Sequence, residues 1–527
     1  MIEVEVHQQL RAFLREQGEP YWHHHLTMAR LVARALRVGR SALIQAGAPS
    51  GYHGRYRLSY LMPLLLWQEP TVLVVPEAVQ QRLLMVEIPR LRQWIPANKA
   101  IRTGDRWVDD SFQGLLLTTP QAWFADKLSG SGHFPEGIPT VIDGADTLGL
   151  WAQQQLTTQI QPHDWDQLML ACPTQTEAIR DARVQLTRSL FQHPANPYDC
   201  YLIDAPEQSI LTQLYQVLRL TYTLSHQDTE TDWLTSNFLP EIWQQLGKAL
   251  QSEGQLFWAE INRRQGQFSL HCSPVEVASA LSRIWSQQPI VLIGGFLDLD
   301  AEANAYRQRL GLPEDMTCLK FSPDRQHELI QLYLPDGLPL PNTPQFQPAL
   351  MQEIRALISA THTAGQGLTV ILVGDTPLKA QVGSALAAEF GSRVQVEKTC
   401  LDEQGILVTG WEFWQQHQAV FPAPRLLMIT TLPFPSLEAP LVAGRVAHYK
   451  RSRQDWFRLY LLPEALGTLQ RAIAPVRESQ GVVALLDNRV NHRSYGQQVL
   501  AALSPLAKIN YVDASVFTPF EGMDLTE

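Results

Sequence analysis

Short, unbroken apolar runs bounded by Gly, Pro or charged residues recur in two blocks of this chain, with amphipathic stretches between them. The first block contains Ala42–Ile44, Thr71–Val75, Leu115–Thr118 and Thr140–Asp143. Runs that are apolar at successive rather than alternate positions predict strands buried on both faces, as in a parallel sheet. Leu26–Val38 carries apolar residues at helical spacing and stops at Gly39, which predicts an amphipathic helix with a glycine cap. Strands alternating with helices predict βαβ units. From Trp151 to about Glu253 the runs vanish and Gln- and Leu-rich helical patterns take over. Strand patterns return at Gln255–Ile261, Phe268–His271 and Ile290–Ile293, which are expected to complete the first sheet.

The second block reads Leu368–Val373, Arg393–Val396, Ile406–Thr409, Leu426–Thr430 and Val482–Leu486, again with helical patterns between. The Pro-rich stretch Tyr333–Gln347 reads as the linker between the halves. The pattern therefore predicts an α/β protein of two parallel-sheet lobes, the first interrupted by a helical insertion. The expected boundaries are 1–150 for the N-terminal part of the first lobe, 151–253 for the insertion, 254–300 for the return, and 301–527 for the second lobe.

Composition changes this picture little. The chain has 527 residues, 45% apolar and 18% charged, which is too long for one core. No apolar run reaches the ~20 residues needed to span a bilayer. The polar start MIEVEVHQQLRAFLREQGEP resembles neither a secretory signal nor a transit peptide, so a cytoplasmic location without membrane partners is expected. Cys172, Cys200, Cys272, Cys318 and Cys400 are scattered, with no CxxC pair to suggest a zinc site or disulfide framework. The net charge of −10 argues against indiscriminate nucleic-acid binding. Local charge matters more. Arg30, Arg34 and Arg37 share one helical face, and Lys450, Arg451, Arg453 and Arg458 are interleaved with Tyr449, Trp456 and Phe457. Each set is either a phosphate-facing surface or a solvated helix face. His23-His24-His25 at a helix start point in different directions, which favours structural over metal-binding roles.

Several segments carry a resemblance, in order, over roughly residues 20–505. Gln45-Ala46-Gly47 and Tyr60-Leu61-Met62-Pro63 flank a phosphate-loop position, and Thr140–Leu148 reads TVIDGADTL. Ser269–Val277 reads SLHCSPVEV, followed by Gly294-Gly295-Phe296-Leu297. Then come Phe413-Trp414, Leu432-Pro433-Phe434-Pro435 and Leu469–Gly496, whose apolar strand ends in Asp487 and Arg489 before Tyr495-Gly496. The chain resembles the DinG/XPD-like branch of superfamily 2 DNA helicases. That resemblance implies two RecA-like lobes, the P-loop NTPase helicase fold, with an arch-like insertion in the first. It implies ATP and Mg²⁺ as cofactors, single-stranded DNA as partner, and ATP-dependent 5′–3′ unwinding in DNA repair as the family activity.

The residues that handle ATP are largely replaced. The phosphate loop needs GxxxxGK[ST], in which backbone N–H groups ring the phosphates while Lys and a hydroxyl serve phosphate and Mg²⁺. Here Gly47, Gly51, Gly54 and Arg55 stand at the candidate nucleotide-binding positions, with Gly54-Arg55 two residues too far from Gly47. No lysine precedes Lys99, Arg is no simple substitute for Lys, and Pro49 removes a backbone donor. Asp143 matches the family's Mg²⁺-positioning Asp and is either a metal ligand or a capping residue. The catalytic Glu position is Gly144, leaving Asp146 as the nearby candidate base. The family's Gly-Arg, the source of its arginine finger, falls on Ala474-Pro475, with Arg471 or Arg477 as candidate replacements. His25 stands where the family's adenine-contacting Gln belongs. Residues 76–139 contain no Cys, so no iron–sulfur cluster is expected there.

The expected function is thus a helicase-like protein that binds nucleic acid and turns over ATP weakly or not at all. Trp414, by stacking on a base, and Lys450, Arg451 and Arg453, by holding phosphates, are the candidate DNA contacts. Two rivals stand beside it. One is an active helicase in which Arg55, Asp146 and Arg477 have taken over the lost roles; the other is a scaffold that binds a protein partner and no nucleic acid.

Overall fold

The computed structural model describes residues 1–18, 21–48, 52–95, 98–225, 238–325, 327–364, 367–402, 404–511 and 517. Its strands, in chain order, begin with β1 (Ala42–Gln45), β2 (Thr71–Val74), β3 (Ile101–Thr103), β4 (Leu115–Thr118) and β5 (Thr140–Asp143). Next come β6 (Thr158–Ile160), β7 (Cys200–Leu202), β8 (Gln255–Asn262) and β9 (Gln267–Pro274), then β10 (Ile290–Gly294) and β11 (Thr317–Lys320). The remainder are β12 (Ile330–Tyr333), β13 (Thr369–Leu372), β14 (Val394–Val396), β15 (Ile406–Thr409), β16 (Leu426–Ile429), β17 (Val482–Leu485) and β18 (Leu506–Ile509).

Two seven-stranded parallel sheets form the lobes. The first runs β11-β1-β10-β5-β2-β4-β3 and the second β14-β15-β13-β16-β17-β12-β18. The central strands are short apolar runs buried at every position, as in β2, β4, β13 and β16, because helices cover both faces. In the first lobe Leu73, Leu117 and Ile293 pack against the helices Ile2–Gln17, His25–Val38 and Arg57–Leu66. Their neighbours Val72, Leu116 and Leu292 pack against Pro120–Ser129, Leu148–Leu156 and Ala278–Trp285.

Three boundaries differ from the sequence expectation. First, β8 and β9 do not return to the first sheet. They pair with each other and with β7 and β6 in an antiparallel sheet of order β6-β9-β8-β7, so the insertion extends through Pro274. A hairpin closes on a local turn and needs no parent sheet; the alternating burial of β8 marks it as such. The insertion is therefore helices on a small sheet, around a core where Trp165 meets Trp243 edge-to-face at 4.8 Å. Second, β11 pairs with β1, which carries the first lobe to Lys320 rather than residue 300. Third, β12 pairs with β17 and β18, so the Pro-rich stretch lies within the second lobe rather than between the lobes.

One contact sets the position of a basic helix. Pro440–Arg451 of the second lobe lies on the insertion's sheet, and Gly444 makes this approach: a Cβ there would stand 2.4 Å from Leu256 and 3.1 Å from Leu202.

Candidate functional site

Open α/β sheets bind ligands outside the carboxyl ends of their strands. In the first lobe β1, β10 and β5 lie side by side, with Gln45 opposite Gly294 and Ile293 opposite Asp143. The loops leaving these strands meet at once: Ala46 N–H donates to Gly294 O at 2.8 Å and Gly144 N–H to Ile293 O at 3.0 Å. This is where a phosphate loop and its Mg²⁺-positioning Asp would face each other.

Here the Asp faces side chains of its own lobe. The Asp143 carboxylate is 4% exposed. One oxygen accepts from the Tyr56 hydroxyl; the other accepts from the Tyr60 hydroxyl at 2.8 Å and from Arg57 Nε at 3.3 Å. The helix Arg57–Leu66 starts one residue after Tyr56, so Tyr56 and Tyr60 stand one turn apart and reach the same carboxylate. Burial pushes both tyrosine pKa values far up, so both hydroxyls keep their protons and donate. Burial is the largest single influence on Arg57 and opposes its charge, but Asp143 together with Tyr60, Tyr56 and Glu87 outweighs it and raises the pKa. Glu87, 3.9 Å from Arg57, completes the cluster, its pKa raised by burial. These residues do not fit Mg²⁺–ATP: a cation at Asp143 would have to displace two hydroxyls and a guanidinium.

The neighbouring position is equally closed. Gly144 has φ +97°, and a Cβ there would stand 2.8 Å from the Trp151 ring. A glutamate at this position meets both obstacles. Asp146 accepts from the N–H groups of Gly295 at 2.8 Å and Phe296 at 2.7 Å, pinning the β5 and β10 loops together. Burial raises its pKa, against the pull of those two N–H groups and Arg471.

The rest of the candidate cleft is held across the lobes. Arg55 pairs with Glu478 of the second lobe, and the Tyr52 hydroxyl donates to Gln418 O at 3.2 Å. What remains between Trp22, Arg55, Arg477 and Glu478 is a cavity of about 30 Å³, room for a water or two. His25, 1% exposed, bonds the Ser59 hydroxyl at 2.8 Å, and its neighbour His24 bonds Ser322 O, so the His run does not converge on a metal. Gly47 and Gly54 adopt φ +91° and +65° in the loop; Gly51 lies outside the described residues.

Two expected functional residues are structural. Arg477, 2% exposed, donates to the carbonyls of Glu328, Leu503, Ser504 and Pro505. Burial lowers its pKa to about 10, and all its Nη contacts are backbone, so it cannot serve as a finger. Trp414 is fully buried, donating to Ala472 O at 3.0 Å and stacking on Phe421, so it cannot stack on a base. Asp487 and Arg489 form a bidentate pair, with bonds at 2.8 and 2.5 Å. Of the first lobe's arginine face, Arg37 pairs with Glu3. By contrast, Lys450, Arg451 and Arg453 are exposed at the end of helix Pro440–Arg451, with the Lys450 ammonium 5.2 Å from the Trp456 ring centroid.

Sequence reasoning did not anticipate the roles of Tyr56, Arg57, Tyr60 and Glu87. The one available signal was a Tyr-Arg-x-x-Tyr run where a phosphate loop should give way to its helix.

A helicase C-terminal domain model matches residues 410–506. An ATP-dependent DNA helicase YoaA of Haemophilus influenzae is 26% identical over 265 residues, 47% of this chain and 40% of the relative. The YoaA of Escherichia coli is 24% identical over 284 residues, 51% of this chain and 44% of the relative. A 3′-5′ exonuclease DinG of Bacillus subtilis is 24% identical over 357 residues, 60% of this chain and 38% of the relative. The chain thus spans about two-fifths of the length of the curated relatives it matches. Among solved structures, an XPD helicase superposes with TM-score 0.58 at 12% identity, covering 94% of this chain and all of the other. Xpd4 of S. tokodaii gives 0.55 at 13% identity, covering 93% of this chain and all of the other. The two-lobed architecture is the XPD-like helicase fold.

Proposed function

We propose, from the helicase C-terminal domain match, the YoaA relatives and the XPD-like fold, that the chain is a DinG/XPD-like member of superfamily 2 that binds single-stranded nucleic acid without turning over ATP. The observation that carries this reading is the cluster on Asp143, where Tyr56, Tyr60 and Arg57 occupy the carboxylate that a magnesium ion would need. The absence of a glutamate at Gly144 and of a free arginine at Arg477 supports it. The family's ATP-dependent 5′–3′ unwinding therefore has no chemical route here that uses the described residues. Arg55 is committed to Glu478 and Asp146 to backbone donors, which disfavours an active enzyme with substituted residues.

Strand binding needs none of these groups. It needs cations along a groove and rings to stack on. The exposed end of helix Pro440–Arg451 offers Lys450, Arg451 and Arg453 beside Trp456. Fluorescence anisotropy with single-stranded DNA is expected to show micromolar, salt-sensitive binding with little sequence preference. Changing Lys450, Arg451 and Arg453 together to Ala should lower the salt slope by up to about three units. ATPase activity should stay at background with and without DNA. No binding at ~50 mM salt, where electrostatic contacts are strongest, would leave the protein-scaffold reading instead.

A further inference from the structure

Beside the closed cleft, with Asp146 in its wall, the two lobes line a cavity of about 380 Å³. That volume lies within the roughly 300–1,000 Å³ of small-molecule sites. Helix Asn304–Leu310 of the first lobe supplies Arg309, and the second lobe supplies Arg445, Tyr449, Tyr460 and Arg471. The Nε atoms of Arg309 and Arg445 are buried with no hydrogen-bond acceptor. Arg471 hydrogen-bonds Thr468 Oγ1 at a long 3.4 Å and pulls on the Asp146 carboxylate without pairing with it. Three guanidiniums, two of them with an unmet buried donor, thus converge on one space.

The acids lining the same space do not cancel them. Asp146 spends both oxygens on the Gly295 and Phe296 N–H groups, and Glu464 is taken by Arg309 at 3.1 Å. Glu276 is exposed at the rim. The rings complete the lining: Tyr449 and Tyr460 stack at 6.3 Å and 26°, and the Arg445 guanidinium lies 5.5 Å from the Tyr460 centroid. Unmet arginine donors suit a phosphate, and a flat tyrosine face beside them suits a base.

We propose that this cavity binds one phosphorylated nucleoside unit, its phosphate on Arg471, Arg309 and Arg445 and its base against Tyr449 and Tyr460. The unit is either a free nucleotide or the phosphorylated end of a strand. Helix Pro440–Arg451 turns Arg445 and Tyr449 into the cavity, whereas Lys450, Arg451 and Arg453 of the strand-binding surface are exposed at its end, so the two sites use different side chains.

Isothermal titration of the full chain with AMP, adenosine and inorganic phosphate tests it. AMP should bind with a submillimolar Kd, and adenosine and phosphate each at least about tenfold more weakly. Arg471→Ala should weaken AMP roughly tenfold, as expected for one charge-assisted contact. Glu276→Gln, at the exposed rim, should tighten it without touching the fold. Competition of AMP by a 5′-phosphorylated oligonucleotide but not by its 5′-hydroxyl counterpart identifies the strand end as the source; competition by neither identifies the free nucleotide. No heat from AMP up to about 5 mM, or equal affinity in the Arg471→Ala protein, overturns the proposal. Anisotropy with an end-blocked oligonucleotide reads the strand surface separately, so either idea can fail without the other.

Discussion

A carboxylate in a dry interior must have its charge matched, and at Asp143 the matching groups are Tyr56, Tyr60 and Arg57. Asp143→Ala would leave a guanidinium and two hydroxyls buried without their acceptor. The expected loss is about 3–5 kcal/mol of folding stability, read by urea denaturation. A loss below about 1 kcal/mol would mean that the network is incidental. Arg477 obeys the same logic with opposite charge. Its four carbonyl partners come from two separate stretches of chain, Glu328 and Leu503–Pro505, and Arg477→Ala should cost on the order of 3 kcal/mol. An arginine finger, by contrast, could be removed with the melting temperature unchanged.

At the scale of the element, the helix Arg57–Leu66 is held at both ends. Its N-terminal turn is fastened to Asp143, and its C-terminal end meets Lys99, the first lysine in the chain. The Lys99 ammonium donates to the carbonyls of Leu64, Trp67 and Glu69 and to the Thr71 hydroxyl, supplying donors where a helix ends with orphan carbonyls. Lys99→Met keeps the volume and removes the donors. It should lower stability by on the order of 3 kcal/mol in thermal or urea unfolding.

What the sequence disclosed about elements follows from how each is stabilised. The runs TVLV, LLMI and VVAL are buried on both faces and announce themselves as central strands. The strands IRT, CYL and TCLK are edge strands with partly exposed positions, too short to show any period. The site was harder to read than the sheets. Tyr56 meets a partner 87 residues away, and no local pattern encodes such a pairing. Trp414 and Arg477 are residue types that carry chemistry on a surface, but tertiary packing put both in the interior.

At the scale of the whole molecule, the lobes are joined by contacts that need no nucleotide. Arg55 meets Glu478, Tyr52 meets Gln418, Arg309 meets Glu464, and Arg445 reaches Gln153 from the second lobe. Helix Pro440–Arg451 also rests on the insertion through Gly444. A motor of this build would need its lobes to part and close with each nucleotide, and here closure is built in. Small-angle scattering is therefore expected to give one compact profile, unchanged by several millimolar Mg²⁺–ATP. In the Arg471→Ala protein, whose interlobe cavity has lost its main phosphate contact, melting should be equally indifferent to Mg²⁺–ATP, although a ligand at 100 times its Kd would stabilise by about 2.7 kcal/mol. A smaller radius of gyration with ATP would refute built-in closure.

Gly144 also limits what a single substitution can install. Its backbone sits at φ +97°, and the space a side chain would need is taken by Trp151. Reverting that one codon to glutamate would strain the loop before any water could be activated, and removing Trp151 first would open a hole in the first lobe. Either of these two substitutions made alone thus passes through a less stable protein. A glutamate and the indole exclude each other at this corner of the loop, so neither change alone makes room for the other.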